Sequence, residues 1–136
     1  MWYGELAANY FLTLFLRASH PEAASQWTQY LHALSASPQR KYTYLSDMVK
    51  VYTDRVGDNT PYLQTPEGQG NLGWYQGVVG EIGEYLYRAD VDFVAHIRRM
   101  MSGSGPSETD DIVNELEALA PGLRRSMESF GVFPSR

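Results

Sequence analysis

A chain of 136 residues has the size of one domain, and at that length about two thirds of the unfolded surface can be buried, enough for one core. Cysteine is absent, which excludes disulfides and thiolate zinc clusters and makes the cytoplasm the expected location. A formal charge of −5 argues against non-specific adhesion to nucleic acid or to an anionic membrane.

The first stretch, WYGELAANYFLTLFLRAS, predicts a helix over Trp2–Ser19 that is apolar around nearly its whole circumference. Leu6, Tyr10, Phe11, Leu12, Leu14, Phe15 and Leu16 point in almost every direction, so this helix is expected at the centre, surrounded by the others. One polar ridge remains, Glu5, Asn9, Thr13 and Arg17, each four residues after the last. It is either a buried seam that fixes register or a solvated line. The apolar run 6–16 is too short to span a bilayer, and no Lys or Arg precedes it, so neither a membrane anchor nor a secretory signal is read there.

Ser19 and Glu22 resemble a capping box, and Pro21 pre-sets φ for a second helix over Pro21–Ser35. Its apolar side, Ala23, Ala24, Trp27, Tyr30, Leu31 and Leu34, is expected to lean on the first helix. Ser37 and Pro38 repeat the start signal. A third helix then carries Tyr42, Leu45, Met48, Val49, Tyr52 and Val56 inward until Gly57, with Arg40, Tyr44, Asp47, Lys50, Asp54 and Arg55 on its solvated side.

Residues 57–71 hold two prolines and three glycines and read as a long loop, of the kind that often carries function, pinned by Tyr62 and Leu63. The longest helical pattern follows over 72–101, with Tyr75, Val78, Val79, Ile82, Leu86, Ala89, Phe93, Ile97 and Met100 on one face and a kink at ADVD capped by Asp90. Gly73, Gly77, Gly80 and Gly83 recur beside that face. Each costs a helix about 1 kcal/mol relative to alanine, so the stripe predicts a close helix contact, either with the first helix or across a dimer axis. SGSGPS, 102–107, reads as a flexible connector. Ser107 and Asp110 then open a helix with Ile112, Val113, Leu116 and Leu119 inward. Pro121 divides it from a short helix through Leu123, Met127 and Phe130, and Val132 and Phe133 tuck in the tail.

Chemistry-bearing patterns are sparse. Gly68, Gly70 and Gly73 form a G-x-G-x-x-G, but no strand precedes it, so a glycine-rich hinge loop is favoured over a dinucleotide site or a looser anion site at a helix start. Glu81 and Glu84 offer paired carboxylates, yet Glu84 with Arg88 is an ordinary i,i+4 surface pair and no Glu-x-x-His motif accompanies them, so no metal is expected. His20, His32 and His96 lack ligand spacing, and His96 reads as a core histidine. Arg40, Lys41, Tyr42, Tyr44, Lys50 and Arg55, with the pairs Arg98–Arg99 and Arg124–Arg125, outline a basic and aromatic patch diluted by Asp47 and Asp54.

These readings combine into a single all-α domain over 1–136, five or six helices around the apolar N-terminal one. A non-enzymatic protein-binding module follows as the functional expectation: an adaptor, inhibitor, immunity or assembly factor without a cofactor, binding a protein partner or a second copy. Tyrosine, with ten copies, supplies large contact area at little entropic cost. The expected contacts are therefore Tyr44, Tyr62 and Tyr87, which lie off the apolar faces. A nucleic-acid-associated subunit is the first alternative, and a small-ligand or nucleotide sensor using the glycine-rich loop the second.

Overall fold

The computed structural model describes residues 2–36, 40–53, 55–57 and 60–136. Seven α-helices run through the described residues: α1 Trp2–Ser19, α2 Pro21–Ser35, α3 Met48–Thr53, α4 Pro66–Arg88, α5 Phe93–Met101, α6 Thr109–Leu119 and α7 Leu123–Ser129. No helix among them is long and apolar enough to cross a membrane.

The centre is α4, not α1. Trp74, Tyr75, Val78, Val79 and Leu86 on α4 are completely enclosed, and α1 and α2 both pack along it. Thr65 starts it: its side chain accepts from the Gly68 amide, and Pro66 supplies the pre-set φ. Gly68 and Gly70, expected in a loop, are thus inside the first turns of α4. The described residues of the 57–71 stretch before that point are structured too. A two-residue antiparallel ladder pairs Arg55 with Pro61 and Val56 with Thr60, Gly57 turns it at φ +59, and a 3₁₀ turn over Tyr62–Gln64 leads into α4.

The expected third helix shrinks to six residues, α3, preceded by a 3₁₀ turn over Leu45–Asp47. Residues 42–46 instead run beside the C-terminal segment. Phe133 N–H donates to the Thr43 carbonyl at 2.9 Å, and Leu45 N–H to the Phe133 carbonyl at 2.9 Å. Tertiary hydrogen bonding has overridden helical periodicity there. The start signal at Ser37 and Pro38, and Asp54 of the expected outer face, lie outside the described residues.

The 72–101 pattern breaks in two. Asp90 adopts φ +53 rather than capping, and the cap of α5 is Asp92, whose carboxylate accepts from the Ala95 amide at 2.9 Å. The Ser19–Glu22 and Ser107–Asp110 boxes do not form: the N-caps are His20 and Glu108, without side-chain caps. Residues 102–108 join α5 to α6, and Trp2 Nε1–H donates to Thr109 Oγ1 at 3.1 Å, tying the start of α1 to the start of α6.

The glycine stripe is a helix contact, mainly with α2. A methyl group on Gly77 would lie 2.8 Å from the Leu31 carbonyl oxygen and 2.7 Å from the Leu34 carbonyl carbon. On Gly80 it would meet the Leu31 side chain, and on Gly73 it would be 3.3 Å from Leu34 Cδ2. Only Gly83 faces α1, at ordinary contact distance from Leu6 and Tyr10. Absent side chains let α2 lie directly on α4, and that is what offsets their helix-propensity cost.

Candidate functional site

The unexpected surface belongs to α1. Its buried residues are Trp2, Leu6, Asn9, Tyr10 and Thr13, so the polar ridge faces inward. The ridge is partly satisfied by α4 and by α1 itself, the buried Arg17 Nε being left without a hydrogen-bond partner among the described residues: Asn9 Nδ2 donates to the Glu5 carbonyl at 2.9 Å and to Gln76 Oε1 at 3.5 Å, and Gln76 Nε2 donates to Glu5 Oε2 at 3.1 Å. Arg17 reaches the Glu84 carboxylate. Thr13 departs from this, since its buried hydroxyl has no hydrogen-bond partner among the described residues, although it is not sealed from solvent.

With the ridge turned in, the apolar opposite side is turned out. Phe11 is 45 % exposed, Leu12 38 % and Phe15 56 %. They are neighbours on the helix, at i, i+1 and i+4. Gly4 and Ala8 lie exposed toward the N-terminus on the same side, and a methyl group on Gly4 would meet nothing within 4 Å. No charged side chain interrupts the strip between Gly4 and Phe15 on this side, because Glu5 belongs to the inner ridge. The sequence reading missed it by treating the whole circumference as buried. The available signal was the alternation of three and four residues through Gly4, Ala8, Phe11 and Phe15, which marks one helical face.

The three tyrosines have different fates. Tyr62 is 2 % exposed and its hydroxyl accepts from Asn71 Nδ2 at 2.8 Å, so it is a core residue and not a loop side chain waiting for a partner. Tyr44 is half-buried on the bridge to Phe133, with its ring 6.1 Å from the Phe133 ring and 5.6 Å from Arg136 Cζ. Tyr87 is half-buried on α4 beneath the Arg17 guanidinium, 4.4 Å from its ring centroid. They sit on three different elements with three different sets of neighbours.

The carboxylate pair of α4 also separates. Glu81 bonds His32 Nδ1 at 2.8 Å and accepts from Ser35 Oγ at 3.3 Å, whereas Glu84, buried, accepts from both Arg17 and Arg88, the latter from Nε at 3.0 Å. Glu84 is therefore not the surface partner that its spacing suggested. Among the described residues no group of three or more His, Asp or Glu side chains is placed to hold a metal ion. Part of the basic and aromatic set gathers at the buried Tyr42, with Lys41 Nζ 5.2 Å and Lys50 Nζ 5.9 Å from its ring, but other members are engaged elsewhere: Arg40 donates to the Phe130 carbonyl at 2.9 Å, Lys50 also pairs with Asp47 at 2.7 Å, and Arg99 pairs with Glu115.

His96 lies at the centre of a closed chain between α1, α5 and α6. Its Nδ1 is 2.7 Å from the Tyr3 hydroxyl and its Nε2 is 3.0 Å from Glu115 Oε2. The Arg99 guanidinium beside Glu115 holds that carboxyl below its ordinary range. The consistent assignment is a neutral imidazole accepting from the Tyr3 O–H and donating to the carboxylate. Burial pushes the His96 pKa down, against the smaller opposing pull of Glu115, and burial pushes the Tyr3 hydroxyl up.

Comparison with protein-family models, curated proteins and solved structures returns no match.

Proposed function

We propose that this chain is a non-enzymatic protein-binding module whose contact surface is the outer face of α1, and that the occupant of that face is a second copy of it. The observation that supports this reading is the orientation of α1, with Asn9 and Thr13 inside and Phe11, Leu12 and Phe15 outside. Burial of three such side chains favours the opposite arrangement by about 1.5–3 kcal/mol each, so a contiguous apolar strip kept in water points to an interface.

Self-complementarity argues for a second copy. If two α1 helices lie antiparallel about a two-fold axis level with Asn9 and Tyr10, Gly4 of one meets Phe15 of the other and Ala8 meets Phe11. Every bulky ring then stands over a small residue, each contact occurs twice as an isologous interface requires, and the helix dipoles oppose. The strip from Gly4 to Phe15 is roughly 17 Å long and 10 Å wide, a footprint on the order of 200 Å² per copy, well below the ~800 Å² per partner of a standard interface. A reversible, concentration-dependent dimer is expected, not an obligate one.

Sedimentation equilibrium over a wide concentration range tests this. Phe15→Glu, at an exposed position, is expected to abolish association without lowering the melting temperature, and Ala8→Leu to weaken it by placing bulk against Phe11. A wild-type chain that stays monomeric throughout, or a Phe15→Glu variant that associates as wild type does, overturns the reading.

A further inference from the structure

Where α1, α2 and α4 converge, a cleft of about 440 Å³ opens, lined among others by Arg17, Ser25, Thr28, Gln29, Tyr87 and Arg88. We propose that this cleft binds a small polar molecule through a carboxylate or phosphate group. This site is separate from the outer face of α1 and does not depend on the association described above.

The charge at the cleft is positive by construction. Glu84 lies buried and accepts from both Arg17 and Arg88, so two guanidinium groups face one carboxylate. Arg88 uses only Nε for that contact. Its two terminal nitrogens have no partner among the described residues, and its side chain is 69 % exposed. The outward edge of a guanidinium is the planar fork that fits an oxyanion. Arg17 is held in place from two sides, by Glu84 and by the Tyr87 ring 4.4 Å away, so little side-chain freedom remains to be lost on binding.

The wall opposite is polar and unengaged. Ser25, Thr28 and Gln29 follow one another at i, i+3 and i+4 along α2 and thus share one side of it. Their side chains, and the Tyr87 hydroxyl, make no hydrogen bond within the described residues. Four neutral hydrogen-bonding groups face two cationic ones across a volume within the ~300–1,000 Å³ range of small-molecule sites. A cation is repelled, and an apolar ligand would strip water from these groups without replacing it.

Isothermal titration with inorganic phosphate and, separately, with citrate tests the proposal, each against sodium chloride at matched ionic strength. Saturable binding of either probe is expected. Tighter phosphate binding assigns a phosphate ester and tighter citrate binding a carboxylate. Arg88→Ala and Gln29→Ala are each expected to weaken it by about tenfold, Gln29→Ala with an unchanged melting temperature and Arg88→Ala with a lowered one, since it also removes a partner of the buried Glu84 carboxylate. Arg88→Lys, which retains charge without the fork, is expected to recover only part of the loss. No saturable binding of either probe beyond the chloride reference, or wild-type affinity in Arg88→Ala, overturns the proposal.

Discussion

Gly77 has no room for a methyl group, because the atoms that one would meet belong to the backbone of α2 and cannot rotate away. Gly77→Ala is therefore expected to destabilise by roughly 1–3 kcal/mol as overpacking, although alanine is intrinsically the better helix former. At Gly80 the obstacle is the Leu31 side chain, which can partly yield, so a smaller loss is expected. At Gly83 the nearest atoms are 3.7 Å away, and alanine should be neutral or stabilising by up to about 1 kcal/mol. Urea denaturation of the three variants checks this order, and equal effects at Gly77 and Gly83 would remove the close-approach explanation. His96 carries a second residue-scale expectation. Its folded pKa is lowered from the ordinary 6.5, so below pH 6.5 the unfolded chain binds a proton that the folded one refuses. The stability contributed by the neutral imidazole is complete above that pH and is lost as pH falls through the folded value. The groups facing it are Tyr3 from α1, Glu115 from α6 and Arg99 from its own helix. Melting temperature is thus expected to fall with acidification below pH 6.5 in wild type, and to fall less steeply in His96→Gln.

Caps decide where the elements start, and two of them are specific. Thr65 and Asp92 accept from backbone amides at the starts of α4 and α5, so Thr65→Ala and Asp92→Ala are each expected to cost about 1 kcal/mol. Ser19→Ala and Ser107→Ala, at boxes that do not form, are expected to change thermal stability by less than about 0.5 kcal/mol. A large loss at Ser19 would contradict the uncapped start of α2. The helix pattern was legible where local signals agreed: α1 and α2 appear with the predicted limits, and Ile112, Val113 and Leu116 of α6 are buried as periodicity requires. It failed where partners distant in sequence intervene. Thr43, Leu45 and Ser46, around Tyr44, fall in a stretch of helical spacing but bond to Phe133 and Pro134, and nothing local announces that pairing. The α1 face was illegible for a related reason. Periodicity groups Phe11 with Phe15 and Asn9 with Thr13, but which group faces in depends on Gln76 and Glu84, far along the chain. The glycine stripe announced a contact, yet the choice of α2 over α1 lay in the shape of Leu31 and Leu34.

For the molecule as a whole, closure depends on contacts between remote positions. Trp2 meets Thr109 across 107 residues, Tyr3 meets His96 across 93, and Arg40 meets the Phe130 carbonyl across 90. The hairpin of α1 and α2 is local by comparison, but it meets α4 across 46 residues from Ser35 to Glu81 and 67 from Asn9 to Gln76. High contact order of this kind raises the entropic barrier to folding, since long loops must close before the contacts that reward closure can form. For α1 the consequence concerns timing. Until α4 arrives, Asn9 and Phe11 are equally wet, and nothing distinguishes the side destined for the interior from the side left outside. The sidedness of the first helix is thus not its own property: it is conferred by residues encoded in the second half of the chain.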